Sequence, residues 1–169
     1  MPLWPRQTSF PVLVTQAILV GLYDCIRTLP VPVIADHLGG TMGASKLPLQ
    51  LQENPLSQPG FNSLLSLASQ SRVLVKVSGL YRISSLSTSL FSDTKPVIQA
   101  LAHHIPNQLI WGSDWPHTGD GSNRLERNLN VKEPFRLVDN HAILQNIRDW
   151  VGDEVWWMML QDNPSRAFQ

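Results

Sequence analysis

The stretch Leu109-Ile110-Trp111-Gly112-Ser113-Asp114-Trp115-Pro116-His117 decides the fold. It reads as an apolar strand that leaves the hydrophobic layer at a carboxylate, with Pro116 just beyond to end the ladder. A carboxylate in that place is costly to desolvate unless it is paired, hydrogen-bonded or used. The same pattern occurs twice upstream. Residues 31–35 form a short apolar run that ends in Asp36-His37-Leu38-Gly39-Gly40, and the β-branched run 73–77 ends in Ser78-Gly79. Between these runs lie helical stripes, Phe61, Leu64, Leu65 and Ala68, then Val97, Ile98, Leu101 and Ile105 behind Pro96. Strands alternating with helices at this spacing predict parallel βαβ units.

Composition sets the outer limits. At 169 residues the chain is long enough for one domain with a sizeable core. Thirteen basic and thirteen acidic residues cancel, so no broad electrostatic footprint favours nucleic acid or an anionic membrane. No apolar run reaches the roughly 18 residues of a membrane-spanning helix. A single Cys25 excludes an intramolecular disulfide framework and fits a reducing, cytoplasmic setting. Residues 10–23 are largely apolar behind Arg6, loosely like a signal peptide. Gln16 interrupts them, however, and Val14, Ile18, Gly21, Leu22 and Ile26 fall at helical spacing. The expectation for residues 1–30 is therefore a lead-in helix that packs on the sheet.

Beyond Asp114, residues 118–130 are polar and read as a long exposed loop over the strand end. Asn140 is placed to cap a helix carrying Ile143, Leu144, Ile147 and Val151 inward, and Asp153 a second helix around Val155, Trp156, Met159 and Leu160. Asn163-Pro164 begins a last turn.

Strand alternation sorts the polar residues. Lys76 shares a face with Leu74 and Ser78 and is expected at the inner, polar mouth of the sheet. Asp114 lines up with Gly112 and Ile110, and His37 with Ala35 and Val33. Parallel strands wrapped by helices, with polar groups at their carboxyl ends, point to a (β/α)-barrel, whose active sites lie at that face. An open doubly wound sheet is the other candidate. No glycine-rich phosphate loop appears in the sequence, which weakens the nucleotide-binding alternative.

These residues resemble a known family. Val31-Pro32-Val33-Ile34-Ala35-Asp36-His37-Leu38-Gly39, Val75-Lys76-Val77-Ser78-Gly79-Leu80-Tyr81-Arg82 and Trp111-Gly112-Ser113-Asp114-Trp115-Pro116-His117 are similar to three successive landmarks of the amidohydrolase-related family. The nearest branch is that of the 2-pyrone-4,6-dicarboxylate lactonase-like hydrolases. Asp162-Asn163-Pro164-Ser165-Arg166-Ala167-Phe168 resembles the way such chains finish. The resemblance runs from about Val31 to the end and covers four motifs in order.

It implies an α/β chain, residues 1–169 as a single domain, forming part of a (β/α)8 TIM barrel: three to four C-terminal βα units with parallel strands flanked by helices. Full barrels of this kind run to roughly 250 residues. The early H-x-H pair of the family is not among the five histidines His37, His103, His104, His117 and His141. The chain therefore resembles a truncated fragment, the C-terminal half of such a barrel.

The resemblance further implies a hydrolase acting on a small carboxylated lactone, ester or amide. Asp114 would be the general base on water, and His37 would polarise the scissile carbonyl. Arg82 would grip a substrate carboxylate, with Lys76, Tyr81 and His117 as further substrate-binding candidates and Ser78 a weaker one. No metal or other cofactor is expected; one divalent ion such as zinc is the alternative if further ligands are supplied. The expected partner is a small anionic substrate, with no nucleic acid and no membrane. The competing reading is a half-barrel without turnover, which binds a small acid or self-associates through open sheet edges.

Overall fold

The computed structural model describes residues 10–12, 20–119 and 130–168. Four parallel strands form one sheet in sequence order: β1 (Phe10–Val12), β2 (Val33–Ala35), β3 (Val73–Val77) and β4 (Leu109–Trp111). Among the described residues the helices include α1 (Tyr23–Thr28), α2 (Phe61–Ser69), α3 (Leu80–Ile83), α4 (Lys95–His104), α5 (Asn140–Trp157) and α6 (Asn163–Ala167). Short helical turns fill the connection between β2 and α2.

Register explains the burial. Val33 aligns with Val73, Ile34 with Leu74, Val75 with Leu109, and Lys76 with Ile110. One face of the sheet, Val33, Ala35, Val73, Val75, Val77 and Leu109, enters a continuous core with Leu64 and Leu67 of α2, Ile98 and Leu101 of α4, and Ile147 of α5. The other face carries Ile34, Leu74 and Ile110, a smaller apolar cluster closed by Ala167 of α6. Strands covered on both faces read as near-continuous apolar runs, and that is how 33–35 and 73–77 read. Asn163 ties the end of the chain to the sheet: its buried amide donates to the carbonyls of Pro106 (2.8 Å) and Leu109 (2.7 Å).

Several expectations need correction. Phe10–Val12 is not part of a lead-in helix but a strand in register with Val33–Ala35. A three-residue apolar run carries no usable period, so only its partner strand reveals it. Pro11 lacks an N–H to donate, and its strand lies at the edge of the sheet as described, where that loss is tolerated. Most of the expected helix between Val12 and Val20 lies outside the described residues. The α5 cap is Asp139, not Asn140, because the Asp139 carboxylate accepts from the Ala142 N–H at 3.0 Å. Helix α5 breaks at Gly152 (φ +81°), where the two expected helices meet. In α2, Leu67 is buried and Leu65 only partly so. The exposed loop expected over residues 118–130 lies mostly outside the described residues. Among those described, no helix is long and apolar enough to cross a membrane.

Candidate active site

The carboxyl ends of β2, β3 and β4 bring Asp36, His37, Lys76, Ser78, Tyr81, Arg82 and Asp114 together. Asp114 is the hub. Its Oδ2 accepts from the Tyr81 hydroxyl and from Arg82 Nε, both at 2.6 Å. Its Oδ1 faces His37 Nε2 at 3.9 Å, beyond hydrogen-bond reach. Among the described residues that oxygen has no hydrogen-bond partner. The Arg82 guanidinium is fixed further by Nη1 on the Gly119 carbonyl (3.2 Å) and Nη2 on Thr118 Oγ1 (3.0 Å). Three of its five N–H donors are used in this way, and the other two have no partner among the described residues.

The backbone that presents these groups is unusual. His37, Leu38, Gly39 and Gly40 all have positive φ, from +51° to +76°, a left-handed turn immediately after β2. Left-handed geometry costs a non-glycine residue roughly 1–2 kcal/mol. The full burial of Leu38 and the bond from the Gly39 N–H to the Asp36 carbonyl (2.9 Å) hold the turn. Asp114 (φ +61°) and His117 (φ +56°) repeat the device after β4, with the His117 N–H on the Asp114 carbonyl at 2.9 Å. Strained, over-determined positions of this kind concentrate at functional sites.

Electrostatics assign the charge states. Burial pushes the Asp114 carboxyl up, but the hydrogen bonds from Tyr81 and Arg82 and the neighbouring positive charge outweigh it, and its pKa falls below the usual carboxylate range. Burial lowers the pKa of His37 more than the Asp114 and Asp36 charges raise it, so the imidazole is neutral at neutral pH. The Tyr81 phenol is pushed up by burial and by its bond to Asp114, so it stays a donor. For Arg82, burial is outweighed by Asp114, and the guanidinium is held charged.

Lys76 does lie on the face of Leu74, but its ammonium forms an ion pair with Asp36, the next residue after β2 on the same face. Sequence reasoning passed over Asp36, although its alignment with Lys76 follows from the β2–β3 register. His37 shows the limit of the alternation argument. Val33 and Ala35 face the helices, and His37 reaches Asp114 only because the left-handed turn redirects the chain. His117 is buried behind Tyr81, edge-on at 5.9 Å between ring centres, with Nε2 3.2 Å from the Ser113 carbonyl and 3.1 Å from the Asn140 amide. Ser78 and Gly79 carry more of the geometry than their sequence signal implied. Ser78 Oγ sits 3.0 Å from His37 Nδ1, and a Cβ on Gly79 would stand 2.5 Å from that nitrogen and 2.9 Å from Asp114 Oδ2. The close approach of the two residues requires glycine there.

Beside Tyr81 opens a cleft of about 560 Å³ whose charged lining residues are Lys46 and Arg136, with Ser84, Ser85 and Ser87 between apolar walls. Arg136 and Arg82 both lie over the Tyr81 ring, 5.6 and 5.0 Å from its centre.

The family model described as Amidohydrolase matches residues 7–168. The chain belongs to the amidohydrolase family. Among relatives, it is 31% identical over 151 residues to a 4-sulfomuconolactone hydrolase of Rhizobium radiobacter, a match that takes in 89% of this chain and 44% of that protein. Among solved structures, a probable 2-pyrone-4,6-dicarboxylic acid hydrolase from Acinetobacter baumannii with citric acid bound superposes with a TM-score of 0.67 at 21% identity, over 96% of this chain and 52% of that one. An amidohydrolase from Burkholderia multivorans with bound zinc superposes with a TM-score of 0.62 at 18% identity, over 95% and 52%. This chain thus spans about half the length of the proteins it matches. The branch read from the sequence agrees with the names of the first two. The match begins ahead of Val31, where the recognisable motifs begin.

The zinc-bound neighbour makes the donor set here a direct test. Among the described residues no three His, Cys, Asp or Glu side chains gather in one place. His37 Nε2 and Asp114 Oδ1 converge, but they are two donors, and the carboxylate already carries the Arg82 cation. Catalytic zinc takes three protein ligands. The described residues do not fit that ion by themselves.

Proposed function

We propose that this site hydrolyses a small anionic lactone, and that the four strands form one sector of a (β/α)8 barrel with the site at its carboxyl-terminal mouth. The observation that carries the reading is the division of labour on Asp114: Oδ2 is saturated by Tyr81 and Arg82, while Oδ1 is left without a hydrogen-bond partner among the described residues. An ionised carboxylate with one oxygen anchored and one free is a positioned general base. Asp114 Oδ1 takes a proton from water as the water oxygen bonds to the lactone carbonyl carbon. The oxygen of that carbonyl becomes an oxyanion and accepts from His37 Nε2. Collapse re-forms the carbonyl, breaks the ring C–O bond, and the proton on Asp114 passes to the departing ring oxygen.

The substrate class follows from charge. Among the described residues two N–H donors of Arg82 have no partner and are available to a carboxylate, and the adjacent cleft is lined by Arg136. In this reading Tyr81 acts by holding Asp114, Lys76 is the counter-ion of Asp36, and His117 braces Tyr81. The proposed reaction uses no resident metal. Treatment with a chelator followed by desalting is expected to leave turnover unchanged, whereas loss of activity restored by zinc would overturn that part.

The test is Asp114→Asn assayed on carboxylated lactones by ring opening, with circular dichroism to confirm the fold. Loss of a general base lowers kcat by roughly 10²–10⁴-fold. Equal turnover by the variant would remove Asp114 as the base, and no turnover by the wild-type chain would remove the hydrolase reading.

A further inference from the structure

Ser78 is 3% exposed, and its hydroxyl has one hydrogen to give and two lone pairs to fill. Two groups lie within reach of Oγ among the described residues, and both belong to His37: the backbone N at 3.4 Å and the ring Nδ1 at 3.0 Å. A backbone N–H can only donate, so it takes a lone pair of Oγ. The hydroxyl hydrogen is then left with one acceptor, Nδ1. An Nδ1 that accepts carries no proton, so the neutral imidazole must carry its proton on Nε2, the nitrogen that faces Asp114 Oδ1 at 3.9 Å.

We propose that Ser78 is a positioning residue which holds His37 as the Nε2–H tautomer, and so makes it a hydrogen-bond donor rather than a second base. This rests on the role given to His37 above, and it deepens that role. Among the described residues Ser78 Oγ is the one hydrogen-bond partner of the ring. On the Nδ1 side Gly79 has no side chain, and a Cβ there would stand 2.5 Å from that nitrogen. A proton on Nε2 also settles which of the two groups acts as base. With His37 already a donor, only Asp114 can accept the proton of water.

Serine, histidine and aspartate in contact also describe a nucleophilic triad. Here the serine is buried and its oxygen is occupied by the His37 N–H, so Ser78 supports the imidazole and does not attack.

The experiment uses the full chain with ¹⁵N-labelled histidine. Ring-nitrogen NMR of His37, assigned by its loss in His37→Gln, is expected to show Nε2 protonated and Nδ1 bare in the wild type. In Ser78→Ala the preference relaxes towards a mixture. Turnover of the lactone by Ser78→Ala is expected to fall about 10–100-fold in kcat with KM little changed, as for other partners that orient a working imidazole. An Nδ1–H tautomer in the wild type overturns the proposal, as does an unaltered tautomer in a folded Ser78→Ala. Covalent labelling of Ser78 by a fluorophosphonate overturns it in favour of a nucleophile. If Ser78→Ala fails to fold, the wild-type spectrum still decides. The NMR result needs no turnover, so failure of the hydrolase reading and failure of this one are told apart.

Discussion

Replacing Gly79 by alanine tests whether the approach of His37 to Asp114 is built on the backbone of the Ser78-Gly79 turn. An ideal Cβ at this position would lie 2.5 Å from His37 Nδ1, 2.9 Å from His37 Cε1 and 2.9 Å from Asp114 Oδ2. Ordinary contacts of this type are about 3.5 Å or more, so the ring or the carboxylate must withdraw by roughly 1 Å. The backbone adds its own strain, because φ is +56°. Left-handed geometry costs an alanine roughly 1–2 kcal/mol, and forcing a methyl into packed surroundings roughly 1–3 kcal/mol. Together these amount to about 2–5 kcal/mol, which at roughly 2–4 °C per kcal/mol lowers Tm by about 4–20 °C. A displacement of about 1 Å between the base and the donor costs on the order of 10²-fold in rate.

Gly152→Ala separates the two contributions. Gly152 also has positive φ (+81°, with ψ +164°), yet nothing lies within 4 Å of its Cβ position. It should cost only the backbone strain, roughly 1–3 kcal/mol, with the turnover of the folded protein unchanged. The assay is thermal denaturation followed by circular dichroism, paired with kcat/KM for lactone opening below the transition. If Gly79→Ala loses no more stability than Gly152→Ala and keeps kcat/KM within threefold, the reasoning about a glycine-enforced approach is wrong.

The remaining predictions concern the carboxylate and the chain end. Tyr81→Phe removes one of the two donors on Asp114 Oδ2, so the acid limb of the kcat/KM–pH profile should move to higher pH, and carboxyl ¹³C NMR should place the Asp114 titration higher than in the wild type. The pKa of Asp114 is depressed in the fold, so its stabilisation is complete above the unfolded carboxylate value of about 3.9 and is lost as pH falls through the lower folded value. Tyr81→Phe should therefore narrow the stability gap between wild type and variant in strong acid and leave it open at neutral pH, which acid titrations at constant temperature will check. Asn163→Ala leaves the Pro106 and Leu109 carbonyls without their donor, at roughly 1–3 kcal/mol for each buried group, and urea denaturation should show the loss with m unchanged.

How far the sequence reached depends on which physical rule governed each residue. Strands β2, β3 and β4 were legible because both faces are covered and their runs are nearly all apolar, with Lys76 the exception. Asp114 was legible as a candidate because a carboxylate beyond such a run must find partners, whereas Tyr81 and Arg82 entered through the family resemblance of the motif that carries them. The details escaped wherever the decisive quantity was a backbone angle or a neighbour distant in sequence. Alternation aligns His37 with Val33 and Ala35, which in the structure face the helices, and it would remain there if the strand continued. Four successive positive φ values after Ala35 turn it into the mouth instead, and nothing in His37 or Leu38 announces that geometry, since only Gly39 and Gly40 favour it. Gly39 and Gly40 are thus what allow an imidazole from β2 to face a carboxylate from β4. Ser78 was ranked below the charged residues because a serine carries little signal by itself. Its weight comes from having no hydrogen-bond partner but His37 among the described residues, a fact about the packing of two strand ends. The charged groups mark where the site is, and the uncharged Ser78 and Gly79 determine the protonation and distance at which its charged groups can work.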